Sequence, residues 1–340
     1  MRTLLLICLA ASAASAQSWQ VQTSGVNTNL RGVSVARAPD SGGAPVVWAC
    51  GSHGAVLRSD DGGRTWNRVD VPHAASLDFR SIQAFGTATA YVMSIGPGTA
   101  SRIYKTMDAG RHWRLEYQAR RAQIFLDDLV CDLKSDCYAV SDPVDGKFLL
   151  LHTGDGTNWR ELPRDGMPAA LQGEGVFAAS GTSLSVSKEG IYFVTGGANR
   201  ARVFRSKDRG KSWKVFDTPI YSGNASSGIF SIAQSGNAVV IVGGDYKNAA
   251  GAERVAAYSR DGGASWKLAE SGPHGFRSGV AFAGTTVIAA GPQGEDVSRD
   301  GGAHWTVTGS LNLNAVAVFA SRAWGVGSKG TIATFPLAPS

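Results

Sequence analysis

The string SRDGGASW at 259–266 returns almost unchanged as SRDGGAHW at 298–305, and the same frame stands at SDDGGRTW (59–66), TMDAGRHW (106–113), TGDGTNW (153–159) and SKDRGKSW (206–213). Six copies, 39 to 54 residues apart between their tryptophans, make this a repeat protein. A period of that length belongs to supersecondary units that bury their apolar faces against one another. Each copy follows a short apolar run (GAVLRS, SRIYKT, KFLLLHT, ARVFRS, RVAAYS or GEDVS), and its Trp opens an alternating segment such as WNRVDV or WKVFDT. Strand, Asp-Gly turn, strand is a hairpin. Two further strand-like runs precede each hairpin, for example LRGVSVA then PVVWACG, and four antiparallel strands per unit describe a propeller blade.

The chain ends set the blade number. After Trp305 come LNAVAVF, RAWGVGS and GTIATF, three strands without the motif, while QSWQVQ at the other end places Trp19 47 residues before Trp66 with no strands ahead of it. The N-terminal strand is therefore expected to complete the last blade. The fold class is all-β, a seven-bladed β-propeller over residues 17–340 as a single domain, and its closure leaves no sheet edge open to aggregation. A chain with 43 Gly and 9 Trp and no long helical period agrees with strands and tight turns.

Residues 1–16 have the form of a signal peptide: Arg2, an apolar run from Leu4 to Ala11, and Ala14-Ser15-Ala16 before Gln17. That run is too short for a membrane span of ~20 apolar residues. Export is expected, to the periplasm or beyond the cell. Cys131 and Cys137 flank DLKSD in one hairpin, and an oxidising compartment would join them as a disulfide. Cys50 is left as a buried thiol. The formal charge of +6, against which 27 acidic residues are already counted, is spread along the chain. Such spreading argues against nucleic-acid binding.

The pattern S/T-x-D-x-G-x-x-W has a structural chemistry. Asp61, Asp108, Asp155, Asp208, Asp261 and Asp300 can accept from turn N–H groups, Gly tolerates positive φ, and Trp66, Trp113, Trp159, Trp213, Trp266 and Trp305 supply an apolar plate under the hairpin. A calcium loop needs Glu at its twelfth position, and that position holds Val71 counted from Asp60 and Gly272 counted from Asp261. RGKSW lacks the first Gly of a phosphate loop, and GEGVFA lacks the strand–helix context of a dinucleotide site. No metal or cofactor is expected.

The ligand face of a propeller is built by the loops leading into each first strand and those joining strands two and three. The former align as LRGV, FRSI, LDDL, GEGV, SSGIF, FRSG and LNAV, which puts Arg31, Arg80, Asp127, Glu174, Ser227, Arg277 and Asn314 around the axial mouth. The latter add His53, Asp142, Asp145, Arg200, Arg202, Asp245, Tyr246 and Lys247. Arginines and carboxylates converging on one concavity suit an anionic or hydrogen-bonding partner. Charged loop ends that merely pair with each other are the plain alternative.

The repeated motif resembles the Asp-box of bacterial neuraminidases. The whole chain after residue 16 is similar to the photosystem II stability/assembly factor family of Asp-box propellers, which includes relatives labelled oxidoreductase or glycosyl hydrolase. DDLVCDLKSDCYAVSDPVDGKFLLLHTGDG, and GEGVFAASGTSLSV with GGANRARVFRS, carry the likeness beyond the box. The resemblance implies an exported, non-catalytic binding or assembly scaffold that takes a protein segment through an arginine-rich patch, for which Arg200, Arg202 and Arg205 lie in a suitable stretch. An extracellular polymer is the other partner class, and a monomer is expected. The enzymatic alternative is a sialidase-like glycoside hydrolase. It would cast Arg31, Arg80 and Arg277 as a carboxylate clamp, or Asp127 and Glu174 as facing carboxylates ~5 to 9 Å apart, yet the Arg-Ile-Pro motif of sialidases is absent.

Overall fold

Every box joins the third and fourth strands of a four-stranded antiparallel sheet, and seven such sheets follow one another along the chain. The computed structural model describes residues 17–36, 43–132 and 135–337, so the leader segment 1–16 lies outside the described residues. From blade 1 to blade 7 the innermost strands are Leu30–Ala36, Asp78–Phe85, Leu126–Cys131, Leu184–Ser187, Ser227–Ser235, Gly279–Ala283 and Leu313–Phe319. Blade 7 takes its fourth strand from the N-terminus: Gln20–Gln22 pairs antiparallel with Ile332–Pro336, Gln20 opposite Thr334. Trp19 clasps the seam by packing on Phe335, ring centroids 5.2 Å apart.

The core lies between blades. Second strands such as Val46–Gly51 are buried on both faces, which is why they read as continuous β-branched and aromatic runs rather than alternating ones. Trp48 and Val56 of blade 1, for example, meet Phe79, Ile82 and Val92 of blade 2 in one apolar cluster.

The Ser/Thr–Asp pair of the box recurs in all six copies, whereas the indole N–H donates to the turn carbonyl from Trp66, Trp213 and Trp305 only. In blade 1 the Ser59 hydroxyl donates to Asp61 at 2.8 Å and accepts from the Gly63 N–H at 2.8 Å, and Asp61 accepts from the N–H groups of Arg64 and Thr65 at 2.9 Å each. The Trp66 indole donates to the Gly63 carbonyl at 3.0 Å, and Gly63 stands at φ 95°, a conformation that favours glycine. Three of the boxes are also braced by a hydrogen bond from the blade before. Trp324 of blade 7 donates to the Gly62 carbonyl at 3.0 Å, Tyr91 of blade 2 to Gly156 at 3.4 Å, and Tyr192 of blade 4 to Gly262 at 2.9 Å. In these three the motif is thus a latch between blades as well as a turn.

Cys131 and Cys137 face each other across the first hairpin of blade 3 and are joined as a disulfide, their Cα atoms 4.0 Å apart. Cys50 is free and buried, and burial pushes its thiol up. Among the described residues no helix is long and apolar enough to cross a membrane.

Candidate functional site at the axial mouth

A recurrent backbone irregularity aims side chains at the axis. Where the first strand pairs with the second, the register shifts at one residue in blades 1, 2, 3, 5 and 7, leaving Arg31, Arg80, Asp127, Phe230 and Asn314 unpaired in the ladder. A bulge of this kind re-aims the extra residue. Four of these five are the residues that sequence alignment places at the mouth. In blade 5 the bulged residue is Phe230, whereas Ser227 sits at the start of its strand opposite Asp245.

Blade 4 departs from the pattern. Its first strand is Leu184–Ser187 rather than the GEGV segment, and residues 176–183 between them cross the channel. The Ala178 carbonyl accepts from Arg80 at 2.7 Å and the Ala179 carbonyl from Arg31 at 3.5 Å. On the far side the Ser180 hydroxyl donates to the Ser278 carbonyl at 2.6 Å, and Thr182 pairs with the Ser231 hydroxyl at 2.7 Å. The segment therefore ties blades 1 and 2 to blades 5 and 6 and plugs the central channel.

Above this plug lies a concavity of about 480 Å³ lined by Arg31, Arg80, Phe177–Ala179, Phe230, Tyr246, Phe276, Ser278, Pro292 and Asn314. One wall is cationic. Arg80 is held by a bidentate pair with Asp78 at 3.0 and 2.6 Å. Arg31 is half-buried and makes no ion pair among the described residues; burial first, and then the Arg80 charge, push it down to about 10. The opposite wall is aromatic: Phe177 stacks on Phe230 at 3.9 Å, and Phe276 meets Phe230 edge-on at 4.6 Å. Tyr246 stands over both Phe177 and Phe230 and is 48% exposed.

Several sequence-selected residues lie elsewhere. Arg277 is fully buried, its guanidinium spent on Asp296 (2.7 Å from Nε) and on the Phe276 carbonyl at 2.8 Å, so it does not line the concavity. Glu174 and Arg202 form a buried ion pair with each other, and Glu174 also accepts from the Thr195 hydroxyl at 2.6 Å. Arg200 is exposed and pairs with Asp217 at 2.7 Å, while Arg205 is buried against the Gly262 carbonyl at 2.6 Å. The three arginines of that stretch thus form no common patch. Asp127 is wholly buried and does not line the concavity; burial, then Asp142 and Asp128, raise it well above the usual carboxylate range. Asp142 accepts from the Val176 N–H at 2.9 Å and anchors the start of the plug. Asp245 caps the short turn Tyr246–Asn248, accepting from the Lys247 N–H at 2.9 Å, and so presents Tyr246 to the mouth. His53 and Asp145 hold positive-φ positions in the hairpin turns between second and third strands.

Of the aromatic wall the sequence points to Tyr246 alone, and Phe177, Phe230 and Phe276 emerge only from the structure. Phe230, the last residue of the aligned string SSGIF, was the available signal. A family model described as photosynthesis system II assembly factor YCF48 matches residues 9–275. The chain belongs to the YCF48 family. A solved structure described as YCF48 bound to D1 peptide is 15% identical and has a TM-score of 0.66, covering 96% of this chain and 99% of that one. YCF48 from Cyanidioschyzon merolae is 17% identical with a TM-score of 0.64, covering 94% and 99%. A catalytically inactive virginiamycin B lyase from Staphylococcus aureus with quinupristin, 12% identical with a TM-score of 0.63 and covering 95% and 100%, shares the fold outside the YCF48 family. A sequence search of curated proteins finds no match.

Proposed function

We propose that this chain is an exported, monomeric, non-catalytic propeller that binds a segment of another protein at the axial mouth. Arg31 carries the reading. A half-buried guanidinium whose neighbours are the Ala179 carbonyl and the side-chain amides of Asn314 and Asn29 makes no direct ion pair among the described residues, and Asp78, the carboxylate that acts on it, is bound to Arg80. A carboxylate from a partner would complete it with a charge-assisted pair. The YCF48 structure described as bound to D1 peptide supports a protein segment as the partner class. Export is supported by the leader sequence and by a disulfide suited to an oxidising compartment. A binding role without hydrolysis is favoured because Glu174, one of the two carboxylates a hydrolase would use, is occupied by Arg202 and Thr195.

Cross-linking capture from the organism's exported fraction tests this. Wild-type chain is expected to capture one protein, cross-linked through a contiguous segment; Arg31→Glu loses it and Arg200→Glu keeps it. Capture indifferent to Arg31→Glu overturns the site, and turnover of fluorogenic glycosides that is lost on Asp127→Asn overturns the non-catalytic reading.

A further inference from the structure

We infer that the mouth selects a segment in which a carboxylate lies close to an aromatic side chain, the carboxylate meeting Arg31 and the ring entering against Phe230, Phe276 and Tyr246. The inference rests on the reading that the mouth binds a protein segment and adds the chemistry of that segment. Three observations carry it.

First, the two walls of the concavity differ in kind and share one volume of about 480 Å³, a size that accommodates several side-chain-sized groups. Second, the charge balance is incomplete. Arg31 and Arg80 face the mouth with Asp78 as the one carboxylate paired there, bound to Arg80. Third, the aromatic wall is already arranged for edge and face contacts. Phe177 and Phe230 are nearly coplanar, with 4° between their planes, while Tyr246 and Phe276 stand at 77° and 84° to Phe230. An incoming ring would find both faces and edges, the geometries aromatic pairs prefer. Tyr246 is 48% exposed at the rim and so is open to an incoming ring.

The plug fixes the depth of entry. Its Ala178 and Ala179 carbonyls already engage Arg80 and Arg31, the second at a long 3.5 Å. A carboxylate oxygen is the stronger acceptor for Arg31 and would be met at the level of the plug, with the channel below closed.

The test uses the full chain from residue 17 and fluorescein-labelled Gly/Ser decapeptides read by anisotropy. Asp and Phe are placed nought to three residues apart in amidated peptides, with Asn/Phe and Asp/Ala controls, and a further arm ends in Phe with a free carboxylate. The best Asp and Phe spacing, or the free-carboxylate arm, is expected to bind at least about tenfold tighter than either control. Tyr246→Ala should erase the preference for Phe over Ala and keep that for Asp over Asn; Arg31→Gln should do the reverse. Equal binding of Asp/Ala and Asp/Phe overturns the aromatic selection while leaving segment binding intact. Absence of binding by every peptide, or tighter binding of an acidic oligosaccharide such as oligogalacturonate, overturns both.

Discussion

Trp324 of blade 7 donates its indole N–H to the carbonyl of Gly62, in the box turn of blade 1, at 3.0 Å. The contact crosses the seam at which the ring closes and is buried, Trp324 being 2% exposed. Trp324→Phe keeps a ring and removes the donor, so it should cost about 1 kcal/mol for the hydrogen bond together with a smaller packing loss. Trp324→Ala should cost about 3 to 5 kcal/mol because the cavity opens at the closing interface. Thermal unfolding of both variants checks the order, and equal melting temperatures for Trp324→Ala and wild type would show that the latch contributes nothing.

Glu174 and Arg202 illustrate how a charged pair selected from sequence can be a strut. With Glu174 5% and Arg202 6% exposed, Arg202→Met leaves a buried carboxylate without its partner and should destabilise by about 3 to 5 kcal/mol. Arg202→Met with Glu174→Leu should recover most of that loss. Partner capture by the double variant should equal that of wild type, since neither residue lines the mouth. Chemical denaturation midpoints together with a capture assay separate the two roles.

The repeat, the blade number and the seam were readable because they depend on periodicity and on which strands the ends supply. Trp19 alone distinguishes seven blades from six. The mouth was readable at Arg31, Arg80 and Asn314, because the one-residue bulge falls at the same place in those repeats and leaves them in phase with one another; Asp127 shares the bulge, but its carboxylate is buried and does not line the concavity. The alignment failed at blade 4, where residues 176–183 leave the sheet to cross the channel and GEGV only imitates the start of a strand. It failed again at Arg277, since a periodic alignment cannot report that Asp296, on a different strand of the same blade, consumes the guanidinium. The brace under three of the six boxes was present in sequence all along as Tyr91, Tyr192 and Trp324 in the second strands. A reading confined to the box itself does not look there.

Buried and exposed carboxylates pull the stability profile in opposite directions. Burial raises Glu295 to about 7, and Asp128 and Asp142 to about 6. A carboxyl whose folded pKa lies above its unfolded one contributes stability that is present below about pH 4.5 and is lost as pH climbs to about 7. In the boxes the sign reverses. The backbone N–H and then the side chain of His112 hold Asp108 down to about 2, and the hydroxyl and then the N–H of Ser212 do the same for Asp208. Their contribution is present above the usual carboxylate range and is lost as pH falls toward 2. Maximal stability should therefore lie between about pH 4 and 6. Glu295→Gln should raise the melting temperature at pH 8 and leave it nearly unchanged at pH 4; an equal shift at both values would show that Glu295 does not titrate on unfolding.

Gly181 tests whether the plug is fitted or merely draped. It stands at φ +65° with an added Cβ placed 2.8 Å from the Arg80 carbonyl and 3.0 Å from Ser81 Cα, both backbone atoms that cannot swing aside. Gly86 has a similar φ of +57° with nothing within 4 Å of the added atom. Gly86→Ala should therefore show the backbone cost alone, about 1 kcal/mol. Gly181→Ala adds the clash and should cost about 2 to 3 kcal/mol. The excess has a local signature. Thr182 accepts through its carbonyl from the Ile232 N–H at 2.9 Å, so a plug pushed off Arg80 should expose that amide and speed its hydrogen exchange in Gly181→Ala but not in Gly86→Ala. Equal costs and equal exchange at Ile232 in the two variants would mean that the segment rests on the channel without being packed into it, and that the floor of the mouth is free to move when a ligand enters.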